Sequence, residues 1–256
     1  MISPAPLPAR LRLAILSPLQ RGEGENRSLS AGMALKRHKM APRQPSQDRP
    51  QPRLYLVTPV AADPAKLQLD LLAALDSADI AAVLLRLPAE DDRALINRVK
   101  ALAPTIQRAD AAVIVEGQPA IVARGGADGA HLRSITEFEE AVDALQPDRI
   151  AGAGGLVTRH DAMLAAERGA DYVMFGEPDA MGERPALSAL TERVAWWAEV
   201  FEAPCVGFSA APEEVAPLVA AGADFVALGD WVWQQSDAAG AIALAQQQLR
   251  LSESTG

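Results

Sequence analysis

The same junction between a helix and a strand recurs along this sequence. An Ala-Asp pair stands before an aliphatic run at five places: Ala78-Asp79, Ala109-Asp110, Ala127-Asp128, Ala170-Asp171 and Ala223-Asp224. In the last three, a glycine comes directly before the pair. Glycine favours a left-handed cap at the end of a helix, and aspartate favours the turn into the next strand. We therefore predict a chain built from repeated β-α units.

The length of the repeat fits a closed barrel. Between Asp79 and Asp224 the average β-α unit has roughly 24 residues. This is close to the length expected of each unit when eight units form a barrel of about 200–250 residues. The predicted strands are Leu54–Thr58, Ile80–Leu87, Ala111–Glu116, Gly129–Arg133, Arg149–Ala153, Tyr172–Glu177, Cys205–Ser209 and Phe225–Asp230. The predicted helices are Pro64–Ser77, Glu90–Ala103, Ile135–Leu145, Thr158–Arg168, Pro185–Phe201, Pro212–Ala221 and Ala238–Leu251. Apolar strands that alternate with helices are typical of a buried parallel sheet, so we predict a single (β/α)8 TIM barrel over residues 53–253.

An open, doubly wound sheet with a nucleotide site is the alternative fold. Its best support is the run Gly152-Ala153-Gly154-Gly155, which follows a predicted strand and precedes a predicted helix. The dinucleotide-binding fingerprint requires a further glycine where Val157 stands, and it belongs to the first strand of such a sheet instead of the fifth. The barrel is therefore the favoured prediction.

Residues 1–52 differ from the rest of the chain. They are rich in Pro, Arg, Ser and Gln and have no sustained apolar period. We expect a disordered N-terminal extension, with translation from Met40 as the alternative and an Arg-rich targeting arm as a third. No function is assigned to this segment.

Composition excludes several classes of protein. Apolar residues make up 49% of the 256 residues and charged residues 22%, as in ordinary globular proteins. No run of 18 apolar residues exists, so we predict no membrane span. A single cysteine, Cys205, excludes a disulfide framework and a multi-cysteine zinc site. We expect a cytoplasmic protein.

The charge is divided unevenly along the chain. Residues 1–53 carry ten Lys/Arg against three Asp/Glu, which is +7, whereas residues 54–256 carry fourteen against thirty, which is −16. The phosphate backbone of a nucleic acid would be repelled by so acidic a body, and we predict no nucleic-acid partner.

Polar residues end several of the predicted strands, and the loops that follow the strands carry the chemistry of a barrel. These strand-end residues are Thr58, Arg86, Glu116, His131, Arg133, Glu177, Ser209 and Asp230. Structural roles remain open for several of them: an Arg86–Asp230 ion pair, a cap or salt bridge for Glu116, and a hydrogen-bonded interior position for His131.

Glu177 carries the sharpest functional hypothesis. It follows Phe175-Gly176, and a carboxylate shielded there by apolar walls could move protons. The alternative is a rim carboxylate that pairs with Arg184. Backbone N–H groups near Ser209 could hold phosphate, as barrels often do after strands 7 and 8, but Asp230 brings a negative charge there.

Four segments together resemble the thiamine-phosphate synthase and thiazole tautomerase (TenI-like) family. They are Leu54–Thr58, Gly126–Leu132, Gly169–Gly176 and Ala221–Ala227, with the sequences LYLVT, GADGAHL, GADYVMFG and AGADFVA. The resemblance implies a (β/α)8 barrel with its substrate at the carboxyl ends of the strands. In the synthase branch, a pyrimidine methyl diphosphate is joined to a thiazole phosphate with Mg²⁺ assistance. In the tautomerase branch, a proton is shifted on a thiazole carboxylate phosphate.

The chain departs from the synthase pattern at each motif. Of the Gln-x-Arg-x-Lys run that ends the second strand, Arg86 alone is present, and Glu116-Gly117 replaces the Asn-Asp of the third strand. The remaining replacements are Arg133–Thr136 for Gly-Gln-x-Asp, Pro178–Met181 for Thr-x-Thr-Lys and Ser209-Ala210 for Gly-Gly. The carboxylates expected to bind Mg²⁺ are therefore absent, apart from Glu116. The tautomerase branch needs no metal, and Glu177 stands where that branch has a histidine.

We therefore expect a divergent member of this family that is linked to thiamine biosynthesis. Glu177 is the predicted acid/base, and the predicted substrate-binding residues are Arg86, Glu116, His131, Arg133, Ser209 and Asp230. We expect a small-molecule ligand such as a phosphorylated thiazole or pyrimidine and allow for a homodimer. We expect no cofactor, with Mg²⁺ left as a possibility although its expected carboxylate ligands are absent. The alternative is an inactive paralogue that binds a ligand or a protein partner.

Overall fold

Eight parallel strands form a closed barrel in which each strand is hydrogen-bonded to the next and the last to the first. The structure is a computed structural model that describes residues 51–60 and 63–251. Its strands are β1 (Arg53–Val57), β2 (Ile80–Leu85), β3 (Ala112–Glu116), β4 (Gly129–Leu132), β5 (Ile150–Ala153), β6 (Tyr172–Phe175), β7 (Cys205–Ser209) and β8 (Phe225–Leu228). The predicted barrel is confirmed, and the open sheet is wrong.

Helices follow the strands and cover the outside of the barrel. They are α1 (Pro64–Ser77), α2 (Asp92–Arg108), α3 (Val122–Gly125), α4 (Ile135–Leu145), α5 (Arg159–Glu167), α6 (Leu187–Val200), α7 (Val215–Ala220) and α8 (Ala238–Leu251). Short 3₁₀ turns occupy Pro119–Ile121, Pro212–Glu214 and Asp230–Gln234. Within the described ranges, no helix has the length and apolar character needed to cross a membrane. The expectations for Met40 and the N-terminal extension fall outside the described residues, apart from the extension's last two.

Polar side chains start several helices where the sequence predicts a helix. Asp63, Asp91 and Ser134 each accept a hydrogen bond from a backbone N–H in the first turn. Thr158 and Asp161 form a reciprocal capping box at the start of α5. These bonds satisfy N–H groups that have no partner inside the helix. α3, a single turn, was not predicted.

Three of the five Ala-Asp junctions make the same two-point contact at the amino ends of the strands. Each aspartate accepts a hydrogen bond through its carboxylate from a residue of the preceding strand, and its own N–H donates to the carbonyl of that residue. The carboxylate bonds are Asp128 to Val113 N at 2.8 Å, Asp171 to Ala151 N at 2.9 Å and Asp224 to Cys205 N at 2.8 Å. The return bonds measure 2.8, 2.9 and 3.0 Å in the same order. Strands 3 and 4, 5 and 6, and 7 and 8 are thus joined in pairs.

The aspartates of the other two junctions, Asp79 and Asp110, have different arrangements. The Asp79 carboxylate accepts a 2.9 Å bond from Arg53 Nε on β1. Asp110 has a φ of 57°, so it takes for itself the left-handed conformation that a preceding glycine supplies elsewhere. Aspartate tolerates this conformation better than most residues do.

Apolar side chains form two shells separated by the strands. One fills the barrel interior and includes Tyr55, Leu84, Ile114, Met174 and Phe208. The other lies between the outer face of the strands and the helices. Because side chains alternate along a strand, this division fixes which strand-end residues face the interior.

Removing an aspartate of the paired junctions should destabilise the barrel. Asp128 is buried and also accepts a 3.1 Å bond from Gln107 Nε2. Replacing it by alanine leaves the Val113 N–H buried without its side-chain acceptor, and we expect a loss of roughly 1–3 kcal/mol in the free energy of unfolding. Urea denaturation of D128A measures it. The exposed Asp143 is the matched control, and D143A should stay within about 0.5 kcal/mol of the parent. Equal effects of the two substitutions would refute the role of the contact.

Candidate functional site at the carboxyl ends of the strands

A line of four hydrogen-bonded side chains runs from the barrel interior to its mouth. Tyr55 and Tyr172 join their hydroxyl oxygens at 2.8 Å, and the Tyr172 hydroxyl lies 2.9 Å from His131 Nδ1. His131 Nε2 lies 2.9 Å from Glu177 Oε1. The tyrosines and the histidine are buried, whereas the Glu177 side chain is 14% exposed. Glu177 is therefore the member of this line that can meet a ligand.

A glycine turns the chain so that Glu177 enters the mouth. Gly176 follows β6 and has a φ of 91°, a conformation that other residues rarely adopt. A side chain there would also collide with Leu190 of α6, whose Cδ2 would lie 2.5 Å from the added carbon. The backbone N–H of Gly155 donates to the second oxygen of Glu177 at 3.2 Å. Both carboxylate oxygens are thereby held.

Two glycines of the β5 region leave the space that these side chains fill. A Cβ atom at Gly152 would overlap the Tyr172 ring, and one at Gly154 would overlap both Glu177 Oε2 and His131 Nε2. The glycine run that suggested a nucleotide site thus makes room for the protein's own side chains. The open sheet to which that nucleotide site would belong is wrong, and in the closed barrel these glycines have a packing role.

Burial and the neighbouring carboxylates shift the pKa of His131 in opposite directions. Burial of the ring is the largest single effect and lowers its pKa, but the attraction and hydrogen bond of Glu177 together with the fields of Glu116 and Glu137 outweigh it. The pKa of His131 is therefore raised. The expectation of an interior, hydrogen-bonded histidine is confirmed, and the same residue also contacts the candidate acid/base.

The two tyrosines stay protonated at neutral pH. Burial is the main cause that raises the pKa of each hydroxyl. Because a carboxylate can only accept, His131 Nε2 carries the hydrogen that meets Glu177. When the ring is neutral, Nδ1 accepts from Tyr172, which in turn accepts from Tyr55. All three hydrogens are then used in three bonds, so the neutral line is fully satisfied.

Glu116 and Arg133 also face the mouth, from β3 and the end of β4. Burial raises the pKa of the Glu116 carboxyl, against the opposing charges of Arg86, His131 and Arg133. Glu116 is paired in register with His131, and the Arg133 guanidinium lies over Gly117. Among the residues that the structure describes, neither Glu116 nor Arg133 has a side-chain hydrogen bond or ion pair. The cap or salt bridge considered for Glu116 is therefore absent from that part of the chain.

Arg86 and Asp230 pair across the mouth, as one of the two interpretations predicted. Arg86 Nη1 lies 3.1 Å and 3.3 Å from the two oxygens of Asp230. The backbone N–H of Arg86 also donates to Thr58 Oγ1 at 3.1 Å. The pair is only partly buried, so a ligand anion can compete for Arg86.

Two sequence-based expectations differ from the structure. Glu177 does not pair with Arg184, which instead contacts Glu214 at 2.7 Å and 2.9 Å. The path of the loop after β6 turns the two side chains in different directions, and sequence separation alone does not reveal this. The Ser209 hydroxyl is buried and donates to Ala211 O at 2.7 Å, so this side chain does not join the others at the mouth.

Sequence analysis missed Tyr55 and Tyr172. They are the only two tyrosines in the chain, and both lie in predicted strands. A buried phenol needs a hydrogen-bond partner. Because the chain has two tyrosines and both lie in predicted strands, the sequence indicated that each needs a polar partner inside the barrel. What the sequence does not give is that β1 and β6 direct the two rings to one point.

Comparisons with known proteins agree on a family. The model of the thiamine monophosphate synthase family matches residues 54–231. The thiamine-phosphate synthase of Rhodospirillum centenum is 43% identical over 184 residues, which are 71% of this chain and 89% of that protein. The thiamine-phosphate synthase of Hyphomonas neptunium is 35% identical over 201 residues, 75% of this chain and 90% of that protein.

Solved structures share the fold. The thiamine phosphate pyrophosphorylase from Pyrococcus furiosus superposes with a TM-score of 0.65 at 20% identity, over 80% of this chain and 98% of that one. The 3-hexulose-6-phosphate synthase from Salmonella typhimurium gives a TM-score of 0.60 at 15% identity, over 78% and 99%. At these identities the likeness concerns the barrel alone.

A methyl group at Gly154 should disrupt the pair of His131 and Glu177. Because the added carbon overlaps both side chains, we expect G154A to lose roughly 1–3 kcal/mol in the free energy of unfolding. We also expect the His131 ring resonances to shift in NMR spectra. The control is Gly126, where a Cβ would meet nothing within 4 Å, although its φ of 80° strains alanine there and Gly154 has no positive φ. A G126A variant with unchanged His131 resonances, beside a G154A variant with shifted ones, would confirm the cause.

Replacing Glu177 by glutamine should change how stability depends on pH. The pKa of His131 is raised above its usual 6.5 in the fold, so its protonation stabilises the protein below that pH, and the benefit is lost as the pH rises through the folded pKa. Glutamine removes the charge that raises this pKa. We expect the gap in unfolding free energy between the parent and E177Q to shrink as the pH rises from about 5.5 to about 9. A gap that stays constant over this range in urea titrations would contradict the assignment.

Proposed function

The chain belongs to the thiamine monophosphate synthase family, and we propose that it acts in thiamine biosynthesis by moving a proton on a phosphorylated thiazole- or pyrimidine-type ligand at the barrel mouth. The observation that carries this proposal is the hydrogen bond of Glu177 to His131, with Glu177 partly exposed. A positioned carboxylate next to a buried imidazole is an arrangement that general acid–base catalysis uses.

Glu177 is the proposed catalytic residue. Its carboxylate takes a proton from one atom of the ligand and returns it to another, which is an isomerisation that consumes and releases nothing else. His131 and the Gly155 N–H hold the two oxygens in place, and a proton arriving on one oxygen leaves the other bonded. Tyr172 and Tyr55 are positioning residues, because they fix the His131 ring from below.

The remaining residues of the mouth are proposed to bind the ligand. Arg133 and Arg86 supply positive charge for an anionic group, and the raised pKa of Glu116 favours a carboxyl that can donate a hydrogen bond. Asp230 pairs with Arg86, so a ligand anion has to compete with the Asp230 carboxylate for this guanidinium. Any contribution of Ser209 would come from its backbone, since its hydroxyl is already bonded to Ala211.

The residues of the mouth do not fit a resident Mg²⁺ ion. Mg²⁺ requires near-octahedral oxygen ligands and usually one or two carboxylates. Glu177 is committed to His131 and Gly155, and the guanidinium of Arg133 lies near Glu116. Proton transfer is therefore favoured over a metal-assisted condensation as the proposed reaction.

Synthesis of thiamine phosphate is the second candidate. It is favoured by the names of the two relatives described above, which are thiamine-phosphate synthases at 43% and 35% identity. This candidate would have to stabilise a leaving diphosphate with arginines in place of the family's usual metal and lysine contacts.

Deuterium exchange tests the proposed reaction. The protein is incubated in D₂O with thiazole carboxylate phosphate, and proton NMR follows loss of the exchangeable C–H signal. We expect E177Q to exchange at least about 100-fold more slowly than the parent, the usual size of a general-base contribution. The control is E183Q, an exposed carboxylate in the same loop, which should exchange at the parental rate.

The same preparation distinguishes the other candidates. Formation of thiamine phosphate from the pyrimidine diphosphate and thiazole phosphate, with no deuterium exchange, would replace the proposal by the synthase. Saturable binding of the thiazole phosphate with neither reaction would identify an inactive, ligand-binding paralogue. Exchange that survives in E177Q would remove Glu177 from its role.

A further inference from the structure

An internal carboxylate occupies the rim of the barrel where β6 and β7 end. Glu214 Oε2 accepts a 2.8 Å hydrogen bond from the backbone N–H of Ala210 and lies 2.9 Å from Arg184 Nη1. Glu214 Oε1 lies 2.7 Å from the same nitrogen. The Ala210 N–H and the Arg184 guanidinium therefore already bind an anion, which is the carboxylate of Glu214.

Arg184 is fixed in this position by further bonds. Its Nε donates to Gly176 O at 3.2 Å, and its Nη2 donates to Phe208 O at 3.1 Å. The guanidinium also lies 5.9 Å from the centre of the Phe208 ring. The side chains of Arg184 and Glu214 are only 19% and 13% exposed. Charge-assisted hydrogen bonds with this degree of burial are stronger than those of a surface pair.

The position has a meaning for ligand choice. Barrels of this type frequently bind phosphate through backbone N–H groups on the loops after strands 7 and 8. Here the Ala210 N–H is taken by Glu214, and Asp230 adds a negative charge at the end of β8. A phosphate group entering there would have to displace Glu214 from Arg184 and then remain beside two carboxylates.

We propose that Glu214 is a specificity residue that closes the β6–β7 side of the mouth to phosphate, so that the anionic group of the ligand binds at Arg133. The Arg133 guanidinium lies at the end of β4 and has no ion pair among the described residues, whereas Arg86 is already paired with Asp230. The proposal rests on the proposed function only in assuming that the ligand carries a phosphate.

Titration with inorganic phosphate tests this inference without any assumption about the reaction. Amide NMR spectra of the full chain are followed for the parent, E214Q, R133Q and the control E213Q. Glu213 is the exposed neighbour of Glu214, so E213Q makes the same charge change without touching Arg184. In the parent we expect phosphate to shift the Gly117 and Arg133 amides and to leave the Ala210 amide unchanged.

E214Q should gain a phosphate site. We expect its Ala210 amide to shift in a saturable manner, with a dissociation constant at least about tenfold below the highest phosphate concentration at which the parent shows no shift, the equivalent of one charge-assisted hydrogen bond. E213Q should behave as the parent, and R133Q should lose the Gly117 response. E214A is the second variant if E214Q unfolds, and thermal unfolding checks both.

Two results would overturn the inference: a saturable shift of Ala210 in the parent, or no gain at Ala210 in a folded Glu214 variant. If the protein does not catalyse deuterium exchange, the outcome of the phosphate titration is still valid, because the titration contains no thiazole. Conversely, an active enzyme with phosphate at Ala210 would refute the role of Glu214 and leave the proton transfer intact.

Discussion

Space inside the barrel is the constraint on which the candidate site depends. The interior is filled by side chains from eight strands, and a phenol ring and an imidazole fit beside Glu177 only because β5 and the residue after it present glycine at two interior positions, Gly152 and Gly154. Any side chain at Gly154 would occupy the volume of the bond between His131 and Glu177. The line of hydrogen bonds therefore depends on the absence of side chains at Gly152 and Gly154.

Closure of the barrel brings these groups together. The aspartates of three junctions fasten β4, β6 and β8 each to the preceding strand through both backbone groups of one residue, at the end opposite the site. With the amino ends fixed in register, the carboxyl ends present His131, Glu177, Arg86 and Glu116 around one rim. Stability and candidate function thus occupy opposite ends of the same strands, as is general for this fold.

The charged residues for proton transfer and those for anion binding lie on different sides of the mouth. On one side, Glu177 is bonded to a histidine whose pKa it raises, which suits the handling of a proton. Toward β7, the Glu214 carboxylate satisfies Arg184 and the Ala210 N–H, so the donors that could attract a phosphate are used internally. Arg133 remains as a cation without an ion pair in the described part of the chain.

The sequence by itself determined the elements, their order and the closed barrel, because glycine caps, junction aspartates and apolar runs act over a few residues. It also determined that Glu177, His131 and Arg86 lie at or just beyond the carboxyl ends of their strands. The partners of these residues were decided by tertiary structure: Tyr55 meets Tyr172 across 117 residues, and Arg184 meets Glu214 instead of Glu177. The direction of a side chain beyond a strand end depends on the loop that follows and on the room its neighbours leave. Local sequence encodes neither of these, since both arise only when distant strands are in place.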